Sequence, residues 1–427
     1  MIEEGRVLFI EDFFHEGDNI RIIAFDIVSF YHQLLNELNR LLLEKLSVDQ
    51  LLTISPHEIG LSNYRKAFCS IEEQNFFREF TIPYFENKEF FDMGFLNEFY
   101  SINGGKLRPE ADFYSSPSGW DEIGFDYNPY VLKAIEDYNF FTRLVKRDDG
   151  EKDFSLNGKI YAAIVNVGFG NCCFIFDEDR VIAVDCSNRE TCGKYYQNNV
   201  DTAINWILSK QKKETFHIDV FLLSHPHYDH YSGVYKMIER EYINDKTKFY
   251  INKFYRRHST PISKIFAYLG EAGIKYTHPV VWNGISGFNI LHPLHSHRIY
   301  DNPNNSSVIV SIDVGQKKFV IPGDIEKDWS TEGWDEVSLS VKKVIQQADY
   351  YLLSHHGSKN GFCSDAVPLN ALLSFCSTRP RTNYKGVPHK NTLSLSQNVA
   401  TKLYRTDSSP NIHYIEVDFT NGTAVYK

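Results

Sequence analysis

The chain has little that would anchor it in a membrane or staple it from outside. No uninterrupted apolar run approaches the ~20 residues that cross a bilayer, so no membrane partner is expected. Cysteine is scarce: seven residues in 427, an odd number and widely scattered, which excludes a disulfide framework. Cys172 and Cys173 are adjacent within a strand-like run and read as small apolar residues rather than a redox pair. The opening MIEEGRVLFIEDFFHEGD lacks a basic stretch followed by an apolar one, so no secretory leader is expected. These features together point to the cytoplasm. Basic residues are also short: 45 Lys and Arg stand against 55 Asp and Glu, for a net charge of −10. That balance disfavours a tight non-specific grip on nucleic acid, which needs cations for its phosphates. It leaves room for a local basic groove. Internal repeats and low-complexity tracts are absent.

What is present reads as a globular protein. Hydrophobic residues make up 42% and charged residues 23%, as in ordinary folded domains. A chain of 427 residues exceeds one core and suggests two or three domains. The 32 Phe and 26 Tyr read as aromatic-rich cores, with a protein interface as a second use. The charge-dense stretch Lys146–Asp153 separates two textures and serves as the boundary.

Before it, residues 1–150 read as a mostly helical domain. Residues 23–53 carry apolar side chains at three- and four-residue spacing, the helical period. Residues 71–100 read as aromatic-rich helices, 129–146 as another helix, and the Gly-, Pro- and Ser-rich 101–128 as loop. His15, His32 and His57 stand alone, without a metal-ligand spacing. This part is expected to dock a protein partner or a second copy, or to gate substrate.

Residues 155–427 read as a layered α/β domain. Strand-like runs lie within 158–186, at Ile218–Leu223, 306–312, 317–322 and 349–353. Helical stretches lie at 193–211 and from Gly233, and Asn411–Tyr426 reads as a hairpin turning at Asn421-Gly422. Polar clusters fall just after the strand ends, an arrangement typical of α/β folds.

One cluster carries chemistry. His225-Pro-His227-Tyr-Asp229-His230 places three imidazoles and a carboxylate directly after an apolar strand. A turn at a strand end lets alternate residues enter one pocket. His225 and His227 can converge on one metal while Asp229 and His230 reach a second. Imidazole nitrogens with carboxylate oxygens suit zinc, with manganese or iron as alternatives.

HPHYDH resembles the HxHxDH signature of the metallo-β-lactamase superfamily, and the surrounding order is similar. Val165–Asn171 and Val181–Asp185 look like its opening β-hairpin, Val320–Asp324 like the motif of the bridging aspartate, and Ser354–Ser358 like the late histidine motif. Within the superfamily the likeness is to the hydrolase domain of the competence protein ComEC and to teichoic acid phosphorylcholine esterases. Asn304–Val308, the His-His-Gly-Ser run, Asn383-Tyr384-Lys385 and Pro388-His389 carry it. The resemblance covers about 158–427 and none of the N-terminal part.

The resemblance implies an αββα sandwich and two divalent metals. Asp324 would bridge them, and His355 or His356 would serve the second. Asp185 would organise the ligands from behind. The superfamily's third histidine on the first metal is missing; its place falls at Asn304-Asn305, with His292, His295 and His297 just upstream as competitors. Two metals ~3.5–4 Å apart would share a hydroxide held ionised near neutral pH. Asp229 anchors this machinery, and the spare histidine of the 355–356 pair, or His389, would protonate the leaving group. Substrate contacts are expected from Asn305, from Arg256 and Arg257, and from Tyr384 and Lys385, since cations suit phosphates and Tyr stacks on bases.

The expected function is hydrolysis of a phosphodiester, by a nuclease or a small phosphodiesterase. The acidic charge favours a small or single-stranded substrate over long duplex. A carbonyl centre in a lactone, thioester or amide is the alternative on the same fold. A regulatory module with a vestigial metal site is the alternative from another class.

Overall fold

Ile22, Ala24 and Asp26 are fully buried at every second position, the period of a strand. This burial lies in the first of two compact units, residues 1–144 with 257–267; the second comprises 145–256 and 268–427. The computed structural model describes residues 7–16, 18–42, 71, 77–83, 99–103, 106–109, 155–189, 194–252, 265, 269, 272–277, 287–292, 302–327, 333–379 and 387–427.

In the first unit, strands β1 (Val7–Glu16), β2 (Asn19–Asp26), β3 (Phe77–Pro83), β4 (Phe99–Asn103) and β5 (Lys106–Pro109) form an antiparallel sheet of order β3-β2-β1-β4-β5. Helix α1 (Ile27–Leu42) follows β2 directly. Asp26 caps it, accepting from the Ser29 N–H at 3.0 Å and the Ser29 hydroxyl at 2.9 Å. The expectation of a mostly helical N-terminal part is therefore corrected among the described residues. Only 27–42 is helical there, and strands occupy parts of 71–100 and of the expected loop 101–128. The reason is physical: short aromatic and β-branched segments fit a pleated surface, and partners far along the chain decide them. β1 pairs with β4 some ninety positions on, Val7 facing Ser101. The expected helix 129–146 lies outside the described residues.

The second unit is built on two sheets. The first has order β11-β10-β9-β8-β7-β6-β18-β19 and the second β12-β13-β14-β15-β16-β17. Its strands are β6 (Tyr161–Val165), β7 (Cys172–Phe176), β8 (Val181–Cys186), β9 (Val220–Leu223), β10 (Lys248–Ile251), β11 (Tyr276–Thr277), β12 (Phe288–His292), β13 (Ile309–Val314), β14 (Lys317–Ile321), β15 (Tyr350–Leu352), β16 (Ala371–Cys376), β17 (Ala400–Arg405), β18 (Tyr414–Asp418) and β19 (Thr423–Tyr426). Ile164, Val184 and Leu222 of the first sheet share one buried cluster with Val310, Phe319 and Phe375 of the second. Each such side chain withdrawn from water contributes ~1.5–3 kcal/mol. The next residues along the second sheet, Ile309 and Val320, face the opposite way into a separate cluster with Trp334, Val341 and Ile345. That alternation requires a helix outside the sheet. α5 (Leu339–Gln346) supplies it, while α2 (Gln197–Gln211) sets Trp206 against Tyr161, Phe176 and Tyr414 of the first. The result is the expected αββα sandwich.

Strands β8 and β9 run parallel, as do β14, β15 and β16. Each of these strands is followed by a polar segment at its C-terminal end, where open α/β sheets place their sites. Between β9 and β10 stand the one-turn α3 (Tyr228–Tyr231) and α4 (Val234–Glu239); α6 (Lys390–Val399) precedes β17. Among the described residues no helix is long and apolar enough to cross a membrane.

Candidate metal centre

The centre begins where β9 stops. Ser224, His225 and Pro226 lead to His227, which is extended (φ −89°, ψ 148°) and from which α3 starts and carries Asp229 and His230. The Ser224 carbonyl accepts from the Val308 N–H at 2.8 Å, tying the end of the first sheet to the start of β13 in the second. The loop after β14 contributes Gly323 and Asp324. Gly323 is left-handed (φ 63°), and a Cβ there would meet Ser307 at 3.0 Å and Ser224 at 3.1 Å. Glycine answers both the conformation and the crowding. After β15, Ser354–Gly357 forms a tight turn in which His355 (φ 46°) and His356 (φ 51°) are both left-handed. Two such non-glycine residues in succession cost energy that the surroundings must supply.

Among the described residues, two groups of ligand-type atoms converge, each within 4.8 Å: His225, His230 and Asp324, and Asp229, His230 and His356. His230 belongs to both. Asp185, buried and left-handed (φ 57°), holds it from behind. The carboxylate accepts from the Ser224 N–H at 2.7 Å, from the Ser224 hydroxyl at 2.8 Å and from Nδ1 of His230 at 2.8 Å. Nε2 of His230 then faces Asp324 Oδ2 at 3.2 Å. His356 is held in the same manner. Its Nδ1 donates to the Ser377 carbonyl at 3.0 Å, and its Nε2 lies 3.2 Å from oxygens of both Asp229 and Asp324. Phe169 packs on this ring with centroids 4.5 Å apart. Nε2 of His225 and Nδ1 of His227 stand 3.1 Å apart.

Other expected site residues lie elsewhere. His355 belongs to neither group; its Nδ1 donates to Glu326 Oε2 at 2.9 Å. The side-chain oxygen of Asn305, an expected substrate contact, accepts from the Glu326 N–H at 3.2 Å. His292 is buried on β12 and joins neither group. His389 precedes α6, with its N–H donated to the Gly357 carbonyl at 2.8 Å and its Nδ1 buried without a partner. Arg256, Arg257, Tyr384, Lys385, His295 and His297 lie outside the described residues. Sequence reasoning missed Glu326, Ser224 and Phe169. The signal for Glu326 was present: it stands two places after Asp324, within Gly-Asp-Ile-Glu.

Protonation follows from this packing. Burial pushes the His225 imidazole well down, and the neighbouring His230, His227 and His355 add to it. Burial likewise brings His227 to about 4, with His230 and His355 also opposing its charge. Burial works against a charged His230 too, yet Asp324, Asp185 and Asp229 outweigh it and raise its pKa well above the usual value. Burial opposes an ionised Asp229, but His230 and His356 bring it to about 2. Asp324 is held low by the same two imidazoles against its own burial. Glu326 resists burial chiefly through His355, then through Asn302 and Asn304.

These residues fit divalent cations. Imidazole nitrogens and ionised carboxylates are the donors that zinc, manganese and iron take. Nε2 of His227 and Oδ1 of Asp324 are buried with no hydrogen-bond partner, a costly state that coordination relieves. As with His230, burial opposes a charged His356, yet Asp324 and Asp229 outweigh it and raise its pKa, so cation binding there would compete with protons.

Residues 165–361 match the model of the family described as the metallo-beta-lactamase superfamily. Over 115 residues, 26% of this chain, the sequence is 30% identical to ComE operon protein 3 of Bacillus subtilis (strain 168), and the match spans 14% of that protein's length. Among solved structures, the metallo-beta-lactamase fold protein YhfI from Bacillus subtilis is 12% identical, with a TM-score of 0.36, over 61% of this chain and 100% of that one. Unliganded yeast PDE1 is 10% identical, with a TM-score of 0.34, over 58% of this chain and 97% of that one.

Proposed function

From the match of residues 165–361 to the model of the metallo-β-lactamase superfamily we propose that the chain is a metal-dependent hydrolase of phosphodiester bonds, working with two divalent cations, zinc foremost and manganese or iron as alternatives. The observation that carries this reading is the pair of three-residue groups sharing His230. When bound, such cations acidify water and offset the charge that builds on the oxygens of the scissile group. The protein's own residues prepare for this. Asp185 and the Ser377 carbonyl fix Nδ1 of His230 and His356 as donors, leaving each Nε2 lone pair for coordination. Phe169 covers the His356 ring and keeps water from it. Asp229 and Asp324 are the inner carboxylates of the two groups, so two dications would leave a positive surplus facing substrate. That surplus favours an anionic phosphodiester over a neutral carbonyl. His389 is the proposed proton donor to the leaving oxygen. The net charge of −10 supports a small or single-stranded substrate over long duplex.

The test compares wild type with Asp229→Ala on bis-p-nitrophenyl phosphate, an acyl thioester and a lactone, with zinc or manganese added. Phosphodiester cleavage falling about 100-fold or more in the variant is the expected result. Cleavage of the esters without the phosphodiester would transfer the reading to a carbonyl hydrolase. Less than one metal per purified chain would point to a binding module.

A further inference from the structure

Cys172 and Cys186 face each other across neighbouring strands. β7 and β8 run antiparallel, and the two cysteines are partners in their register. The next pair outward, Asn171 and Ser187, carries a ladder bond, with the Ser187 N–H donating to the Asn171 carbonyl at 2.8 Å. Bonded and unbonded pairs alternate along an antiparallel ladder, so Cys172 and Cys186 are an unbonded pair. The Cα atoms of such a pair stand ~4.5 Å apart with their side chains close, within the ~4.4–6.8 Å that a disulfide spans. Both thiols are free and buried. Burial first, then the Cys186 thiol beside it, pushes the Cys172 thiol well up. Cys173 belongs instead to the cluster between the two sheets.

A bulge creates this pair. Cys173 stands opposite Val184, so Asp185 is an extra residue on β8, and its backbone is left-handed (φ 57°). The bulge aims the Asp185 carboxylate at Ser224 and His230 and returns Cys186 to the ladder opposite Cys172. Cys186 also meets the segment that follows His230. Its carbonyl accepts from the Gly233 N–H at 2.7 Å, and a Cβ on Gly233 would come within 2.9 Å of its Sγ. We propose that Cys172 and Cys186 are a reversible oxidation site, closing to a disulfide under peroxide and thereby loosening the hold of Asp185 on His230. Hydrogen peroxide, little larger than water, is the oxidant suited to a buried pair. The sulfur of one cysteine attacks it, the O–O bond breaks, and a sulfenic acid and one water form; the partner sulfur then displaces the hydroxyl as a second water. Peroxide takes the two electrons, and the two thiol protons end in the waters. A dithiol reverses the step by exchange. An S–S bond of ~2.05 Å is shorter than any contact between two thiols, so closing it draws Cys186 toward β7. The consequence for His230 rests on the two-cation reading above; the disulfide itself does not.

The full chain is exposed to hydrogen peroxide, cleared of it, blocked with N-ethylmaleimide in denaturant, digested and mapped by mass spectrometry. The expected product is a peptide pair linked through Cys172 and Cys186, two hydrogens lighter than its separate halves and absent from Cys172→Ala. Zn²⁺ titration of the oxidised protein should show binding about 10-fold weaker, restored by dithiothreitol. Cys172→Ala should bind zinc as reduced wild type does, both before and after peroxide. Both thiols still free after an exposure that oxidises every thiol of the unfolded chain would overturn the inference. Sulfinic acids at these positions, or linkage of either cysteine to a different one, would do the same. A linked pair with zinc affinity within twofold of the reduced protein would overturn its coupling to His230. Less than one cation bound by reduced wild type would instead sink the two-cation reading, and the peptide map would still judge the disulfide.

Discussion

Asp185→Asn removes one charge from the layer behind the candidate metal centre while preserving shape. Asparagine tolerates the left-handed backbone found there (φ 57°), so strain does not confound the result. The aspartate accepts three hydrogen bonds, two from Ser224 and one from His230. Asparagine can keep one oxygen on the Ser224 N–H, but its amide then opposes the Ser224 hydroxyl and Nδ1 of His230. A neutral bond is worth ~1 kcal/mol and one to a charged group ~1.5–3 kcal/mol. The metal-free protein should therefore lose about 2–4 kcal/mol. His230 should also shift toward the tautomer protonated on Nε2, which weakens cation binding by about 10–100-fold. Urea unfolding of the stripped protein measures the first effect, and Zn²⁺ titration the second. Stability within ~0.5 kcal/mol of wild type, together with unchanged zinc affinity, would refute the view that Asp185 orients His230.

Three further outcomes are expected. Gly333 is left-handed (φ 64°), and a Cβ there would clash with the Glu326 carbonyl and Asn305 Oδ1; Gly333→Ala should cost about 2–4 kcal/mol in urea unfolding, from overpacking and backbone strain. Chelation should lower the thermal midpoint and zinc should restore it, since a ligand at about 100 times its Kd adds ~2.7 kcal/mol per site; a midpoint indifferent to chelator would contradict this. Burial raises the thiol pKa of Cys172, Cys173 and Cys376, so in folded protein these should resist alkylation at pH 8. Burial, then Asp365, brings Cys363 to about 11, so its labelling should keep accelerating with pH beyond 9, as read by peptide mass mapping.

The second unit was largely legible because its signals are local. Strand runs bounded by Gly and Asp, a helical period at 193–211 and the Asn421-Gly422 turn match β6–β9, α2 and the β18–β19 hairpin. The first unit was less legible. The aromatic and apolar side chains within Phe77–Pro83 fit either reading, and pairing across β2 made the segment a strand. Local spacing contains no such partner. The same limit applied at Ser354–Ser358. Spacing could not choose between His355 and His356, whereas the left-handed turn sends one ring to Glu326 and the other to Asp229 and Asp324.

The sequence by itself determined which imidazoles and carboxylates stand at which strand ends: His225, His227, Asp229 and His230 after one strand, Asp324 after another, and a histidine pair after a third. Those are matters of residue chemistry and of strand-end turns, both local. Only the tertiary structure decided how they combine. It brought the ends of β9, β14 and β15 together, let His230 belong to both groups, set Asp185 and Ser377 behind the imidazoles, and enclosed Glu326 among Asn302, Asn304 and His355. Convergence of segments about a hundred residues apart depends on which sheet faces which, and that is set by the buried interface between them.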